Sequence, residues 1–310
     1  MFWYSIFLIV YISVGSSTNL VLLYHCLHQK RDLKMTILLS MAIADLIQSV
    51  FGYTLQLVII EVKSNDLLCS SAAFHMTLLG LVSILHFVML FVERTIRITS
   101  NRSQSQPYDD KRYLIMVGVW LYAFFWALAP LLGWGTYLSE VAIVYSCQVR
   151  VLQLGFFDKL YFYGLITFVF GMSVLAIVVL FLLTKIKMKK NLTKLIITCV
   201  QPELVDKRRC QMHRFDRMTL TMTLIFFVSW TPFACSALYH LITGQKWSEL
   251  VTLGAPLMAK SCVLFNPFVY AYYYMNIGPK LFFKLDAKRS SFSASSTGKV
   301  ARSATVTTKL

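Results

Sequence analysis

Apolar residues run in long blocks along this chain, and polar residues collect between the blocks. Windows wide enough to cross a hydrocarbon core recur seven times, near 2–25, 36–60, 70–92, 113–133, 160–184, 218–242 and 250–274. A membrane strand needs only about ten residues, so blocks of this length predict helices. The pattern predicts an all-α membrane protein: a seven-transmembrane helix bundle over 1–278, forming one domain without internal repeats. After Pro279 the periodicity changes. Lys280, Lys284 and Lys288 recur every four residues, opposite Leu281, Phe282 and Leu285. This predicts a short amphipathic cytoplasmic surface helix over 279–289. The Ser/Thr-rich tail over 290–310 reads as disordered.

Composition agrees with the pattern. The chain is 57% hydrophobic and 14% charged, against about 25% charged residues in a soluble domain. Charge adds an orientation. Of the 30 Lys and Arg, 25 follow spans one, three and five or lie in the tail. That bias places the N-terminus outside and the C-terminus in the cytoplasm. The net charge of +16 is therefore an inner-face property, suited to membrane lipid and an acidic partner, with no nucleic acid implied. No basic region precedes the first span, so it reads as a span and not a cleaved leader. The outer segment ahead of it is almost absent, as in a chain whose beginning is missing. The basic stretch from Lys185 to Arg217 reads as the longest cytoplasmic loop, either a solvated anchor at the lipid surface or a docking face. The tail is either a kinase substrate or an inert solubilising segment. Of seven cysteines, Cys69 and Cys147 fall on the outer side, and Cys26, Cys199, Cys210, Cys235 and Cys262 lie in spans or on the inner side.

Five features mark the spans. Lys260 stands at the centre of span seven, where a lysine costs roughly 2.5–3.5 kcal/mol on insertion scales. A buried amine is paired, deprotonated or covalently used. Asp45 in span two is either an ion or proton site, or a polar hub bonding Asn19 and Asn266, or part of a static network. Glu93 and Arg94 end span three as adjacent opposite charges that can pair locally. Spans six and seven carry Trp230-Thr231-Pro232 and Asn266-Pro267-x-x-Tyr270, each predicted to be interrupted by its proline.

In order along the chain, Asn19, Ala44-Asp45, Glu93-Arg94-Thr95, Trp120, Trp230-Thr231-Pro232 and Asn266-Pro267-x-x-Tyr270 resemble the rhodopsin-like class of G-protein-coupled receptors, from about Gly15 to Ala287. Ala259-Lys260-Ser261, six residues ahead of Asn266-Pro267, resembles the opsins, outside the vertebrate visual branch. That resemblance implies a light-activated receptor in the plasma membrane holding retinal (11-cis-retinal) as a protonated Schiff base on Lys260. It implies a Cys69–Cys147 disulfide and pocket roles for Thr77, Gly80, Trp230 and Phe233. Asp45, Glu93, Arg94, Asn266, Pro267 and Tyr270 become signalling residues. A heterotrimeric G protein, with receptor kinase and arrestin, becomes the expected partner, and no enzyme activity is implied. His75 on span three either tunes the pocket or is simply packed. The span-three counterion position falls on Ala72, which leaves Glu140 as candidate counterion, seven residues before Cys147 where six is usual. A bound anion or water network is the alternative. Thr95, Gly171 and Val179 depart from the common family residues. A retinal photoisomerase would keep the same lysine, and a receptor for a diffusible ligand would keep the bundle but not the chemistry. The absence of internal repeats disfavours a transporter.

Overall fold

The structure, a computed structural model, describes residues 2–62, 66–99, 102–141, 145–150, 155–198, 202–245 and 247–274. The predicted surface helix over 279–289 and the tail over 290–310 lie outside the described residues. Two compact units are distinguished, Met1–Pro267 and Phe268–Leu310, and the second contributes only 268–274 to the description.

All seven apolar blocks are helical. Helix α1 covers Phe2–Leu27. Block two is α2 (Leu33–Ile47) and α3 (Tyr53–Val62), joined by a wide π turn over Gln48–Gly52. Block three is α4 (Asp66–Thr99), followed by the short α5 (Arg102–Asp110). Block four is α6 (Arg112–Leu128), closed by a 3-10 turn over Ala129–Leu132. Strands β1 (Tyr137–Val141) and β2 (Tyr145–Val149) then form an antiparallel hairpin. Block five is α7 (Phe156–Gly164), a π turn over Leu165–Gly171, and α8 (Met172–Thr198). Block six is α9 (Pro202–Thr243), and block seven is α10 (Glu249–Lys260) with α11 (Cys262–Tyr274). Six of these stretches are long and apolar enough to cross a membrane. Spans six and seven were expected to be interrupted at Pro232 and Pro267; instead Pro232 lies inside the unbroken α9, and block seven is divided at Ser261, with Pro267 inside α11.

Three features depart from the expected outline. Lys185–Arg217 is not an open loop among the described residues: α8 runs on to Thr198 and α9 already starts at Pro202. Its Lys, Leu, Ile, Met and Arg residues are good helix formers, and charge on a helix face does not oppose the helix. The π turns are the second departure. In block five, Gly171 supplies the room: a Cβ there would sit 3.2 Å from the Ile166 carbonyl oxygen. The block departs from a regular helix without the usual proline.

The third concerns the charges at the end of α4. Glu93 is buried and accepts a hydrogen bond from Arg97 Nε at 3.0 Å, one turn along the same helix. The same guanidinium donates to Asp109 of α5 and lies 3.8 Å from Asp32. Asp109 also accepts from the Leu33 backbone N–H at 2.8 Å, and Asp32 caps α2 by accepting from Met35 N–H. Partial burial works against the Asp109 carboxylate, but these donors and charges hold it below its ordinary range. The described partner of Glu93 is thus Arg97, the centre of a three-helix network, where the sequence suggests Arg94.

The main core lies around α4. Val82, Ile84 and Phe87 pack with Ala123, Tyr161, Ile177 and Phe226 from α6, α7, α8 and α9. Near the start of the chain, a Cβ on Gly15 would come within 2.5 Å of Ser49 Oγ. Glycine at that position lets α1 lie against the second block.

Candidate functional site

Backbone interruptions position the site. Pro267 has no N–H, so the Val263 carbonyl one turn earlier loses its helix donor. Asn19 of α1 takes that carbonyl at 3.0 Å, while also donating to Gly15 O at 2.9 Å. Around Ser261 the helix tightens, and Leu264 N–H bonds Ser261 O at 2.9 Å. The Lys260 carbonyl is thereby released, and the Tyr53 hydroxyl donates to it at 3.0 Å. Tyr11 donates to Leu257 O at 3.0 Å. Two tyrosines and one asparagine thus hold the segment that carries Lys260.

The Lys260 amine lines a cavity between the helices. Its wall includes Thr77, Leu79 and Gly80 of α4, Phe162 and Leu165 of the fifth block, and Trp230 and Phe233 of α9. The Trp230 and Phe233 rings meet edge-on with centroids 6.3 Å apart. Gly80 makes room for the indole, because a Cβ there would sit 3.3 Å from Trp230 Cη2. One side is covered by β2, whose Cys147, Gln148 and Val149 line the space. The Cys69–Cys147 disulfide ties this strand to α4. Lys260 is the one primary amine among the described lining residues. Its Nζ lies 3.3 Å from the Tyr4 hydroxyl of α1.

Most of the sequence-predicted residues therefore converge: Lys260, Thr77, Gly80, Trp230, Phe233 and Cys147 share one cavity. Ala72 is buried in an apolar cluster with Ile59, Cys69, Ala73 and Tyr137, so that position supplies no charge. Glu140 lies in β1 with its backbone paired to Ser146, one rung from the Ser139–Cys147 pair; its side chain lies outside the described residues. His75 is exposed and bonds Ser71 O at 2.8 Å, away from the cavity wall. A nearby histidine the sequence did not single out, His240, is buried and lines the cavity instead. Tyr4, Tyr11 and Tyr53 were also missed. The seven-residue spacing of Tyr4 and Tyr11 puts both on one helix face, which was the available signal.

Deeper in the bundle, Asn266 Nδ2 donates to Asp45 Oδ2 at 2.9 Å, and both residues are buried. The expected Asn19–Asp45 bond is replaced by the Asn19–Val263 bond, because Pro267 leaves a carbonyl in closer need of a donor. Asn266→Ala should destabilise the apoprotein by about 1–3 kcal/mol, since it strips a donor from a carboxylate out of reach of water. An unchanged thermal melting midpoint would contradict this. Pro267 is buried in the first unit and Tyr270 is buried in the second. Arg94 is half-buried beside Glu93.

Comparison with known proteins gives a consistent picture. Residues 18–270 match the family described as 7 transmembrane receptor (rhodopsin family). The chain is 24% identical over 269 residues to a melanopsin of Podarcis siculus, covering 84% of this chain and 56% of that protein. It is 26% identical over 275 residues to "Rhodopsin, GQ-coupled" of Mizuhopecten yessoensis, covering 84% of this chain and 54% of that protein. The chain spans about half the length of these curated relatives. The fold is similar to the crystal structure of squid rhodopsin, with TM-score 0.76 at 18% identity, covering 87% of this chain and 81% of that one.

Proposed function

Because the chain belongs to the rhodopsin family of seven-transmembrane receptors, we propose that it is a light-activated opsin that binds retinal as a protonated Schiff base on Lys260 and signals to a heterotrimeric G protein. The observation that carries this reading is a lone primary amine in an aromatic-walled cavity between the helices. An uncharged amine there condenses with an aldehyde: the C=N bond forms as the aldehyde oxygen leaves as water with both amine protons. A proton taken up afterwards puts positive charge on the nitrogen. Retinal supplies light-driven isomerisation. The chain supplies the rest: apolar walls that exclude water, Trp230 seated against Gly80 as the contact that moves, and Pro232, two residues further along α9, as the point about which the helix would pivot.

Glu140, on the β-hairpin next to the disulfide, is the proposed counterion. The bias of basic residues supports an orientation with the N-terminus outside and the ends of α4 and α8 and the start of α9 in the cytoplasm, and the plasma membrane is the proposed location. Those ends carry Glu93, Arg94 and the basic helical extensions, the surface a G protein would meet. The name of the GQ-coupled relative supports that class of partner. Receptor kinase and arrestin are proposed to act on the tail.

The test is direct. Purified protein mixed with 11-cis-retinal should give a red-shifted visible band, and borohydride should fix a retinyl group on Lys260. Illuminated pigment should drive nucleotide exchange on added G protein. No visible band and no adduct would overturn the opsin reading. Bulk retinal turnover without nucleotide exchange would favour a photoisomerase.

A further inference from the structure

The geometry points to Tyr4, on the first helix, as the direct hydrogen-bond partner of the Lys260 nitrogen, a neutral hydroxyl where a carboxylate would be expected. This rests on the proposed Schiff base and adds a specific partner to it. The Tyr4 hydroxyl is 3.3 Å from Nζ, and the ring centroid is 5.9 Å from it. Tyr4 is buried and lines the same cavity, packed with Leu8, Tyr11, Tyr53 and Val263. Asp45 is the one carboxylate among the described lining residues, and it is engaged by Asn266.

The lysine side is constrained as well. Tyr53 anchors the Lys260 carbonyl and Tyr11 anchors the Leu257 carbonyl one turn back. Tyr11 and Tyr53 have ring centroids 5.4 Å apart. The turn that carries the amine is therefore fixed to α1 and α3, and the nitrogen is delivered to Tyr4 by construction. A phenol oxygen accepts an N–H bond from a protonated imine and carries no countercharge of its own. It steadies the proton on the nitrogen without pinning the positive charge as tightly as a carboxylate would. By accepting that bond it would also make the C=N carbon less electrophilic toward water. Tyr4 would thus set both the colour of the pigment and its resistance to hydrolysis.

Tyr4→Phe keeps the ring and removes only the acceptor. Reconstituted with 11-cis-retinal, it should absorb at longer wavelength than wild type, because the positive charge spreads further along the polyene when the nitrogen loses its acceptor. In the dark, hydroxylamine should bleach it roughly tenfold faster, as expected for losing one charge-assisted hydrogen bond. Tyr24→Phe, which changes an exposed tyrosine of the same helix outside the cavity wall, should leave the wavelength and bleaching rate in place. A second measurement needs no variant. The C=N stretch of the wild-type pigment should shift less between H2O and D2O than that of an alkylamine–retinal imine paired with a carboxylate in an apolar solvent. An equal shift would show a carboxylate in contact and overturn the assignment, as would a Tyr4→Phe pigment with wild-type wavelength and bleaching rate. A wild-type protein that forms no pigment instead sinks the opsin reading itself, so the two failures are distinct.

Discussion

Lys260→Ala should abolish the visible band completely while leaving the apoprotein folded. The two halves of this expectation have different causes. The chemistry depends on one nitrogen, because Lys260 is the one primary amine among the described cavity-lining residues. No neighbouring side chain described there can replace it in forming a C=N bond. The fold depends on the same residue much less. Among the described residues its side chain bonds to Tyr4 alone, and the bonds that fix its turn are accepted by the backbone carbonyls of Leu257 and Lys260, which alanine retains. Removing a long polar side chain from an apolar interior relieves a desolvation cost as it forfeits that bond. Absorption spectra, borohydride trapping followed by peptide mapping, and a thermal melt of the apoprotein check both halves. A retinyl adduct recovered on another lysine would refute the assignment of the site.

Opening the Cys69–Cys147 bridge should be the largest structural effect. The two cysteines are separated by 78 residues, for which a chain-entropy estimate gives roughly 4.5 kcal/mol. In a bilayer the unfolded reference keeps its helices, so the freed loop gains less freedom and a loss of about 2–4 kcal/mol is expected. The bond also fixes β2, whose Cys147–Val149 segment covers the cavity. Cys147→Ser should therefore lower the melting midpoint of the pigment by several degrees and admit water to the imine, shortening its life in the dark. A Cys147→Ser pigment with wild-type melting and dark lifetime would show that the hairpin is held by its other contacts alone, such as the bond from Tyr137 to Ala127 O.

The helices were legible because membrane-width apolar blocks leave few alternatives. Lys260 was legible because a charge in such a block demands an explanation, and Trp230, Phe233, Thr77 and Gly80 followed from their family spacing. What escaped the sequence is where the polar bonds go. Asn19 could have met Asp45 or a bare carbonyl, and only the three-dimensional placement of Val263 decides between them. Arg97 sits three residues past Arg94, and its bond to Glu93 depends on helical phase while its bond to Asp109 depends on α5 folding back. The π turns over Gln48–Gly52 and Leu165–Gly171 insert extra backbone without a proline to announce it. The tyrosines around Lys260 were hidden because aromatic residues are common on every span of this chain.

Helix α9 has a consequence that lies in its length. Pro232 sits within a helix that begins at Pro202, so the arm from the start of the helix to the proline is about 45 Å long at 1.5 Å rise per residue. A pivot of only about 5° at the proline sweeps the far end through roughly 4 Å. On the proposed reading the continuous helix would work as a mechanical amplifier: a displacement of the indole by less than a bond length at the cavity would become a gap wide enough to admit a side chain at the opposite end.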